Sequence, residues 1–307
     1  MSIVKTDSPM TPERAEAAMD ALAEAYPLIR LKTLTRTFCG RPLRAMILGT
    51  GPRTVLYTAA HHANEWITAP VLLLFAEELA RAAVTGSLYA GFPARELLQA
   101  ATIHLIPMVN PDGVALVTGA IAENDLQYQG AALLAERYPE IPFPEGWKAN
   151  LLGVDLNLNY PAGWEQAKEN KQAQGYLYPG PRDFVGRRPL DQKETRALAD
   201  YTGEIDPALI LAYHTQGEVI YWKYQNVYVP GAEALARAFA ASSGYAAEDT
   251  PFASGFAGFK DWFIDVFRRP GFTVEAGRGR NPLPLEQLPE IYARNKGILA
   301  AAALGKS

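Results

Sequence analysis

Residues 53–84 read "RTVLYTAAHHANEWITAPVLLLFAEELARAAV". An apolar, β-prone run at the start of this stretch is followed by a short polar segment and then by an apolar run with helical spacing. The polar segment places His61, His62 and Glu65 between the predicted strand and the predicted helix. A strand followed by a helix is typical of an α/β fold. Ligands in such folds bind at the carboxyl ends of the strands, so the turn between this strand and this helix is a predicted functional site.

Other segments repeat the alternation of strands and helices. A helix is predicted at about residues 11–25, with Thr11 as its cap. The apolar runs "LRAMILGTG" (43–51) and "RTVLYTAAH" (53–61) are split by Gly49, Gly51 and Pro52, which predicts adjacent strands joined by a turn. "ATIHLIPMVNPDG" (101–113) predicts a strand that runs into a Pro-Asp-Gly turn, and Asp191 and Glu194 occupy capping-box positions at the start of another helix. Later strands are predicted in "PALILAYHTQGEVIYW" (207–222) and "GFTVEAGRG" (271–279).

This pattern predicts a single α/β domain over residues 1–307, with a mixed, largely parallel central sheet flanked by helices. The N-terminal helix is expected to pack on that domain. Residues 119–190 are rich in Gly, Pro, Tyr and Trp and contain no linker or repeat, so we expect ordered loops and short helices there.

Composition excludes some functions. The net charge is −4 without a block of like charges, which gives no reason to expect nucleic acid or a membrane as a partner. Cys39 is the one cysteine, so neither an internal disulfide nor a multi-cysteine metal site is expected. The first residues lack the pattern of a signal peptide, and we expect a cytoplasmic protein. The oligomeric state is not predicted.

A catalytic zinc ion takes three protein ligands and an open position for water. His62 and Glu65 are three residues apart in a turn, where both side chains can reach one point. His61 offers an alternative with H-x-x-x-E spacing. For the third ligand His214, which closes an apolar strand, is a better candidate than His104, which lies in the middle of one.

Five segments in order resemble the motifs of zinc metallocarboxypeptidases of the carboxypeptidase A type. They are "HHANEWIT" (61–68), "NPDG" (110–113), "GVDLNLNYPAGW" (153–164), "LAYHTQG" (211–217) and "GFTVEAGRG" (271–279). The resemblance extends from about residue 40 to residue 300. It implies that His62, Glu65 and His214 bind one Zn²⁺ ion per chain and that Glu275 is the general base.

The chain departs from the digestive members where they bind the C-terminal carboxylate of a substrate. Those members carry an Asn-Arg pair, but here Asn157 is followed by Leu158, which cannot form the two-pronged contact. Asn64 replaces an arginine just before the zinc glutamate, and Ile264 replaces a tyrosine. The resemblance implies that Lys148, in "GWKAN" (146–150), takes the place of the arginine that steadies the oxyanion.

These departures resemble a bacterial branch, the γ-D-glutamyl-L-diamino acid peptidases. "WKANLLGVDLN" (147–157), "GFAGFKDWFI" (255–264) and "GRGRNPLP" (277–284) are similar to that branch. The resemblance implies cleavage of muropeptides between the γ-carboxyl of D-Glu and meso-diaminopimelate or lysine. Such substrates carry several carboxylates, for which Lys148, Lys260, Arg278 and Arg280 are candidate partners. Asn64 and Asn157 are candidates for hydrogen bonds to the substrate.

Two other functions stay open on the sequence. One is a cytosolic zinc carboxypeptidase or amidohydrolase that acts on ordinary peptides or acyl-amino acids with the same zinc residues. The other is a catalytically silent protein that binds muropeptides. The second is disfavoured because all four expected catalytic positions, His62, Glu65, His214 and Glu275, are filled.

Overall fold

The strand that begins at Arg53 lies in the middle of an eight-stranded mixed sheet. A computed structural model describes residues 2–305, apart from the side chain of Ala253. Within these residues the strands are β1 (Ile29–Arg36), β2 (Pro42–Leu48), β3 (Arg53–Ala59), β4 (Leu88–Tyr89), β5 (Phe92–Pro93), β6 (Ala101–Ile106), β7 (Leu209–His214), β8 (Val219–Tyr221), β9 (Ala246–Glu248) and β10 (Gly271–Glu275). The large sheet has the order β1-β2-β6-β3-β7-β10-β8-β9, and β4 and β5 form a separate ribbon.

Helices cover both faces of this sheet. They are α1 (Pro12–Ala25), α2 (Thr68–Thr85), α3 (Ala94–Ala100), α4 (Pro111–Val117), α5 (Leu126–Ala135), α6 (Trp164–Ala173), α7 (Lys193–Ile205), α8 (Ala232–Ser243), α9 (Phe259–Phe267) and α10 (Leu288–Leu304). Short 3₁₀ turns occupy Ala63–Glu65, Leu156–Leu158, Phe252–Ser254 and Leu285–Gln287. No helix of the described part of the chain combines the length and the apolar character that crossing a bilayer requires.

Alternate residues of the central strands enter two separate cores. In β3, Val55 and Tyr57 pack with α1, α2, α3, α8 and α10, whereas Leu56 packs on the other face with α7 and α9. The period of two in a strand, with a core on each face of the sheet, therefore explains why β3 is buried at every position from 55 to 59. Four of the seven neighbouring strand pairs are parallel, and the middle strands β6, β3, β7 and β10 all run in one direction. The prediction of a mixed, largely parallel sheet flanked by helices is confirmed.

The prediction that the strands within 43–51 and 53–61 are neighbours in the sheet is wrong. Strand β6 lies between them, antiparallel to β2 and parallel to β3. The connection crosses the start of β6 closely: a Cβ on Gly51 would lie 2.1 Å from the carbonyl carbon of Ala100, and Gly49 has a φ of +81°. The two glycines are therefore needed for a close crossing rather than for a hairpin.

Two helix starts also differ from the sequence-based expectation. Asn110 caps α4 by accepting a hydrogen bond from the backbone of Gly113, so the Pro-Asp-Gly segment begins a helix instead of ending in a turn. The cap of α7 is Gln192, which makes no side-chain cap hydrogen bond. Glu194 is instead buried in the first turn, with 2% of its surface exposed, and no capping box forms.

Candidate metal centre

The carboxyl ends of three neighbouring strands meet at one edge of the sheet. Strand β7 pairs with β3 on one side and with β10 on the other, all parallel. In this register His214 lies directly beside Glu275. The residues that follow β3 turn over the same edge, so the three candidate zinc ligands and Glu275 are assembled from three separate parts of the chain.

Hydrogen bonds hold the turn after β3 in place. Ala60 reverses the chain with a φ of +49°. Its backbone N–H donates to the hydroxyl of Thr68 at 2.9 Å, and that hydroxyl donates to the carbonyl of Glu65 at 2.7 Å. Asn110 adds a side-chain hydrogen bond to the carbonyl of His61. The first residue of α2 thus fixes the loop that carries His62 and Glu65.

His62, Glu65 and His214 converge on one point. Their ligand atoms all lie within 4.8 Å of one another. The Glu65 carboxylate lies 2.9 Å from Nδ1 of His62 through Oε1 and 2.9 Å from Nδ1 of His214 through Oε2. The two Nδ1 atoms are 3.3 Å apart. Two nitrogens at about 2.0–2.1 Å from a tetrahedral zinc ion are separated by about 3.3 Å, so the spacing fits zinc.

Asp155 supports one of these histidines. Its Oδ1 lies 3.1 Å from Nε2 of His62, opposite the nitrogen that faces Glu65. Asp155 also accepts hydrogen bonds from the backbone N–H groups of Asn157 and Asp183, which hold the carboxylate in place. A carboxylate behind a ligating histidine orients the ring and strengthens it as a ligand, which is a common arrangement at zinc sites.

The other two histidines lie outside the cluster. His61 is fully buried, with Nε2 3.3 Å from the hydroxyl of Tyr160 and its ring stacked on that of His214. His104 lies within β6, and its Nδ1 is 2.6 Å from the hydroxyl of Tyr201. The geometry therefore favours His62 over His61, and His214 over His104, as ligands.

The electrostatics of the cluster suit a cation. Burial raises the pKa of Glu65, but His62 and Lys148 outweigh it and hold the pKa well below its ordinary value. Burial lowers the pKa of His62, and the carboxylates of Glu65 and Asp155 raise it by more, to about 9. The two buried carboxylates that favour a proton on His62 would also favour a divalent ion in place of that proton.

Glu275 and Lys148 flank the cluster. Burial raises the pKa of Glu275, an effect that His214 opposes and Glu65 reinforces. Nζ of Lys148 lies 3.2 Å from Oε1 of Glu65, and the Lys148 backbone is held by the carbonyl of Pro181 at 2.7 Å. Burial lowers the pKa of Lys148, but the neighbouring carboxylates raise it by more, so the ammonium form is kept. A carboxylate and a cation therefore adjoin the same point.

Two cavities meet at these residues. The outer cleft, of about 880 Å³, is lined by residues that include Asn64, Glu140, Glu145, Lys148, Arg182, Tyr221, Glu275, Arg280 and Asn281. The inner chamber, of about 180 Å³, is lined by residues that include His62, Lys148, Asp155, Asn157, Leu158, Arg182, Tyr221, Lys260, Asp261 and Glu275. Lys148, Arg182, Tyr221 and Glu275 line both cavities and mark their junction.

The predicted substrate-binding asparagines both reach these cavities. Asn64 lines the outer cleft and donates to the carbonyl of Glu145 at 3.3 Å, while its Oδ1 has no partner among residues 2–305. Asn157 lines the inner chamber next to Leu158, and its Oδ1 accepts the backbone N–H of Phe259. The unpaired Oδ1 of Asn64 is buried, whereas the half-buried Asn157 has an Nδ2 group without a partner among residues 2–305.

The predicted substrate-binding cations are placed differently. The ammonium of Lys260 is buried, donates to the Lys223 carbonyl at 2.6 Å and the Thr250 hydroxyl at 2.9 Å, and forms an ion pair with the Asp261 carboxylate at 2.6 Å, so its charge is already matched within the described chain. The side chain of Arg278 is 75% exposed and pairs with Glu218 at 2.5 Å. It is not among the residues that line either cavity, whereas Arg280 lines the outer cleft.

Sequence reasoning missed three residues of the site. Asp155 lies in the segment "GVDLNLNYPAGW" (153–164), and its position two residues before Asn157 could have identified it as a residue of the site. Asn281 donates to Glu65 at 3.4 Å and accepts from the Thr215 hydroxyl at 2.7 Å. Arg182 comes from the irregular segment between α6 and α7, where no pattern distinguishes it from its neighbours.

Comparison with known proteins agrees with this geometry. A model of the M14 peptidase family, described as zinc carboxypeptidase, matches residues 15–296. The chain is 40% identical over 280 residues to gamma-D-glutamyl-L-diamino acid endopeptidase 1 of Lysinibacillus sphaericus, which covers 91% of this chain and 68% of that protein. It is 36% identical over 286 residues to the uncharacterized protein YqgT of Bacillus subtilis (strain 168), with 92% and 74% covered.

A solved structure agrees on the fold. Bovine thrombin-activatable fibrinolysis inhibitor, solved in complex with tick carboxypeptidase inhibitor, superimposes with a TM-score of 0.74 at 16% identity, and the match covers 97% of each chain. The predictions of a metallopeptidase and of zinc as its cofactor are confirmed by the family match together with the His-Glu-His group. The chain belongs to the zinc carboxypeptidase family.

Proposed function

We propose that this zinc peptidase hydrolyses the bond between the γ-carboxyl of D-glutamate and an L-diamino acid in muropeptides. The observation that carries the proposal is the 40% identity, over 91% of the chain, to a protein named for that activity. The outer cleft supports the proposal as well, because three cations and three carboxylates line it, and a muropeptide carries several carboxylates and an amine.

In the proposed site His62, Glu65 and His214 hold one zinc ion, and Asp155 orients His62. When bound, zinc lowers the pKa of a water molecule and polarises a carbonyl group. The convergent Nδ1 atoms and the buried carboxylate of Glu65 fit this role in donor type and spacing.

Glu275 acts as the general base in this proposal. It lines both cavities at their junction and stands beside His214 in the sheet. Its ionised carboxylate can take a proton from the attacking water and pass it to the leaving nitrogen of the diamino acid. Burial raises its pKa, which makes the carboxylate a stronger base.

Lys148 stabilises developing negative charge on the scissile carbonyl oxygen. It remains protonated and is held at the junction of the cavities by the carbonyl of Pro181. Its charge next to the reaction centre, in a partly buried site, favours a transition state with more negative oxygen.

The substrate-binding assignments follow from the cavities. Asn64 in the outer cleft and Asn157 in the inner chamber are proposed to hydrogen-bond the substrate. Leu158 lines the inner chamber where digestive members carry an arginine, so the site lacks that two-pronged reader of a C-terminal carboxylate. Lys260 lies at the wall of the chamber, whereas Arg278 pairs with Glu218 outside both cavities and is not assigned a substrate contact.

A direct assay tests the proposal. Zinc-loaded protein is incubated with L-Ala-γ-D-Glu-meso-diaminopimelate, with the lysine analogue and with blocked α-linked dipeptides, and products are identified by mass spectrometry. We expect release of the diamino acid and L-Ala-D-Glu from the γ-linked peptides at a much higher kcat/KM than for the dipeptides. Preference for the dipeptides would instead support an ordinary carboxypeptidase or amidohydrolase. Peptides extended beyond the diamino acid separate endo- from exo-type cleavage.

The cytoplasmic location predicted from the N-terminal residues belongs to the same proposal. A cytoplasmic enzyme of this kind acts on muropeptides that have already left the cell wall. Fractionation of cells that produce the protein, with detection by antibody, tests the location.

A further inference from the structure

We propose that Arg182 binds the free α-carboxylate of the D-glutamyl residue and thereby selects γ-linked substrates. This inference rests on the proposed function and adds the group that recognises the linkage. The α-carboxylate is the feature that distinguishes a γ-linked glutamyl residue from an ordinary one, because an α-linked peptide has an amide at that place. A short three-carbon chain separates this carboxylate from the scissile carbonyl.

Arg182 lies where such a carboxylate would be found. It lines the outer cleft and the inner chamber, together with Lys148 and Glu275. A substrate whose scissile carbonyl is beside Glu275 therefore brings a group a few bonds away within reach of this guanidinium. The side chain is 39% exposed, which leaves part of it open to a ligand.

The guanidinium is anchored by one nitrogen. Its Nε donates to the carboxylate of Asp183, which is 5% exposed and also pairs with Lys171 at 2.5 Å. The two terminal nitrogens have no hydrogen-bond partner among residues 2–305. An arginine held through Nε presents these nitrogens as a planar fork, the geometry that binds a carboxylate in a two-pronged manner.

The same anchor is connected to the metal centre. The backbone N–H of Asp183 donates to Asp155 at 3.2 Å, and Asp155 contacts His62. The carbonyl of Pro181, next to Arg182, accepts the backbone N–H of Lys148 at 2.7 Å. Arg182 is thus positioned relative to the reacting groups by a short series of hydrogen bonds, as a group that controls substrate register needs to be.

Other cations near the site are less suited to this role. The ammonium of Lys260 already donates two hydrogen bonds and pairs with Asp261, and Lys148 lies 3.2 Å from the zinc-site carboxylate Glu65. Arg278 pairs with Glu218 outside the cavities. Arg280 lines the outer cleft but not the junction, so it is placed for a group farther from the scissile bond.

The test compares two substrates that differ at one group. L-Ala-γ-D-Glu-diaminopimelate carries the α-carboxylate, and its D-isoglutamine counterpart carries an α-carboxamide there. For the wild-type enzyme we expect kcat/KM for the acid to exceed that for the amide by about 10- to 100-fold, the usual range for one charge-assisted contact. In Arg182→Gln the preference should fall to about twofold or less, through loss on the acid alone.

The ratio of the two kcat/KM values is independent of the fraction of active enzyme, so partial misfolding of the variant does not affect it. Arg182→Lys keeps the charge without the fork and should retain an intermediate preference. Arg187→Gln, an exposed arginine of the same segment, is the matched control and should keep the wild-type ratio.

The outcomes separate this inference from the proposed function. If the wild-type enzyme cleaves the γ-linked acid and Arg182→Gln keeps the full preference for acid over amide, the role of Arg182 is refuted and the proposed function stands. If Arg182→Gln changes only the ratio between diaminopimelate and lysine substrates, Arg182 binds the distal carboxylate and the inference is also refuted. If the wild-type enzyme cleaves neither γ-linked peptide, the proposed function itself is wrong.

Discussion

Glu275 ends β10 beside His214, and burial raises the pKa of its carboxyl group. As the proposed base it has to be both ionised and within reach of a water molecule. Replacing it with glutamine preserves shape and removes the proton acceptor. We therefore expect Glu275→Gln to lower kcat by about 10²- to 10⁴-fold on the γ-linked substrate.

Two further measurements complete this experiment. Zinc content by elemental analysis should be unchanged in Glu275→Gln, because Glu275 is not one of the proposed ligands. Glu286→Gln, at an exposed position after the same strand, should have wild-type activity. Retention of full activity by Glu275→Gln would refute its role as the base.

Asp155 is expected to control how tightly zinc is held. It contacts His62 on the side opposite Glu65, at 3.1 Å. Asparagine has the same size but lacks the negative charge that strengthens the histidine as a ligand. We expect Asp155→Asn to weaken zinc binding by about 10- to 100-fold in competition with a chelating dye. Exposed Asp200→Asn is the control, and equal affinity of Asp155→Asn and the wild-type protein would contradict this account.

At the scale of single elements, α7 carries a buried acid in its first turn. Burial raises the pKa of Glu194 to about 7. Between its ordinary pKa of 4.5 and about 7, the folded protein keeps a proton on Glu194 that the unfolded chain has lost. The free energy of unfolding should therefore fall as pH rises through this interval. Above it, the stabilisation that comes from the proton on Glu194 is lost.

Glu194→Gln should remove this dependence. Relative to the wild-type protein, we expect the variant to gain about 2–3 kcal/mol of unfolding free energy between pH 5 and pH 8, as measured by urea denaturation at constant zinc. Glu204→Gln, exposed in the same helix, should show no such gain. A difference between Glu194→Gln and wild type that is the same at both pH values would show that Glu194 is ionised in the folded protein.

At the scale of the whole molecule, the proposed zinc ion joins the turn after β3 to the end of β7, next to β10. These parts are distant in sequence, so the ion should stabilise the packed edge of the sheet. With free zinc at about a thousand times its Kd, stabilisation of the folded protein by about 4 kcal/mol is expected.

Chelation should therefore lower the Tm in calorimetry and abolish hydrolysis, and added zinc should restore both. An unchanged Tm and unchanged activity, in protein shown by elemental analysis to be free of metal, would contradict the proposed zinc site.

Short-range features of the sequence are sufficient to predict the fold class and most of the metal centre. The alternation of strands and helices predicted the fold class, and His62, Glu65, His214 and Glu275 each stand at or just after the end of an apolar strand. Such signals are local, since strand period and turn chemistry involve residues close in the chain. Parallel neighbouring strands end at the same edge, so this much convergence follows from sequence.

The tertiary structure decided what depends on contacts between distant segments. Strand β6 lies between β2 and β3. The ammonium of Lys260 contacts Lys223, Thr250 and Asp261. Arg278 pairs with Glu218 outside the cavities. Arg182 came to the junction of the cavities from an irregular segment, through hydrogen bonds of its neighbours to Asp155 and Lys148. Sequence determined which side chains have the right chemistry, whereas strand order and loop packing determined which of them meet, because those depend on pairings that no local pattern encodes.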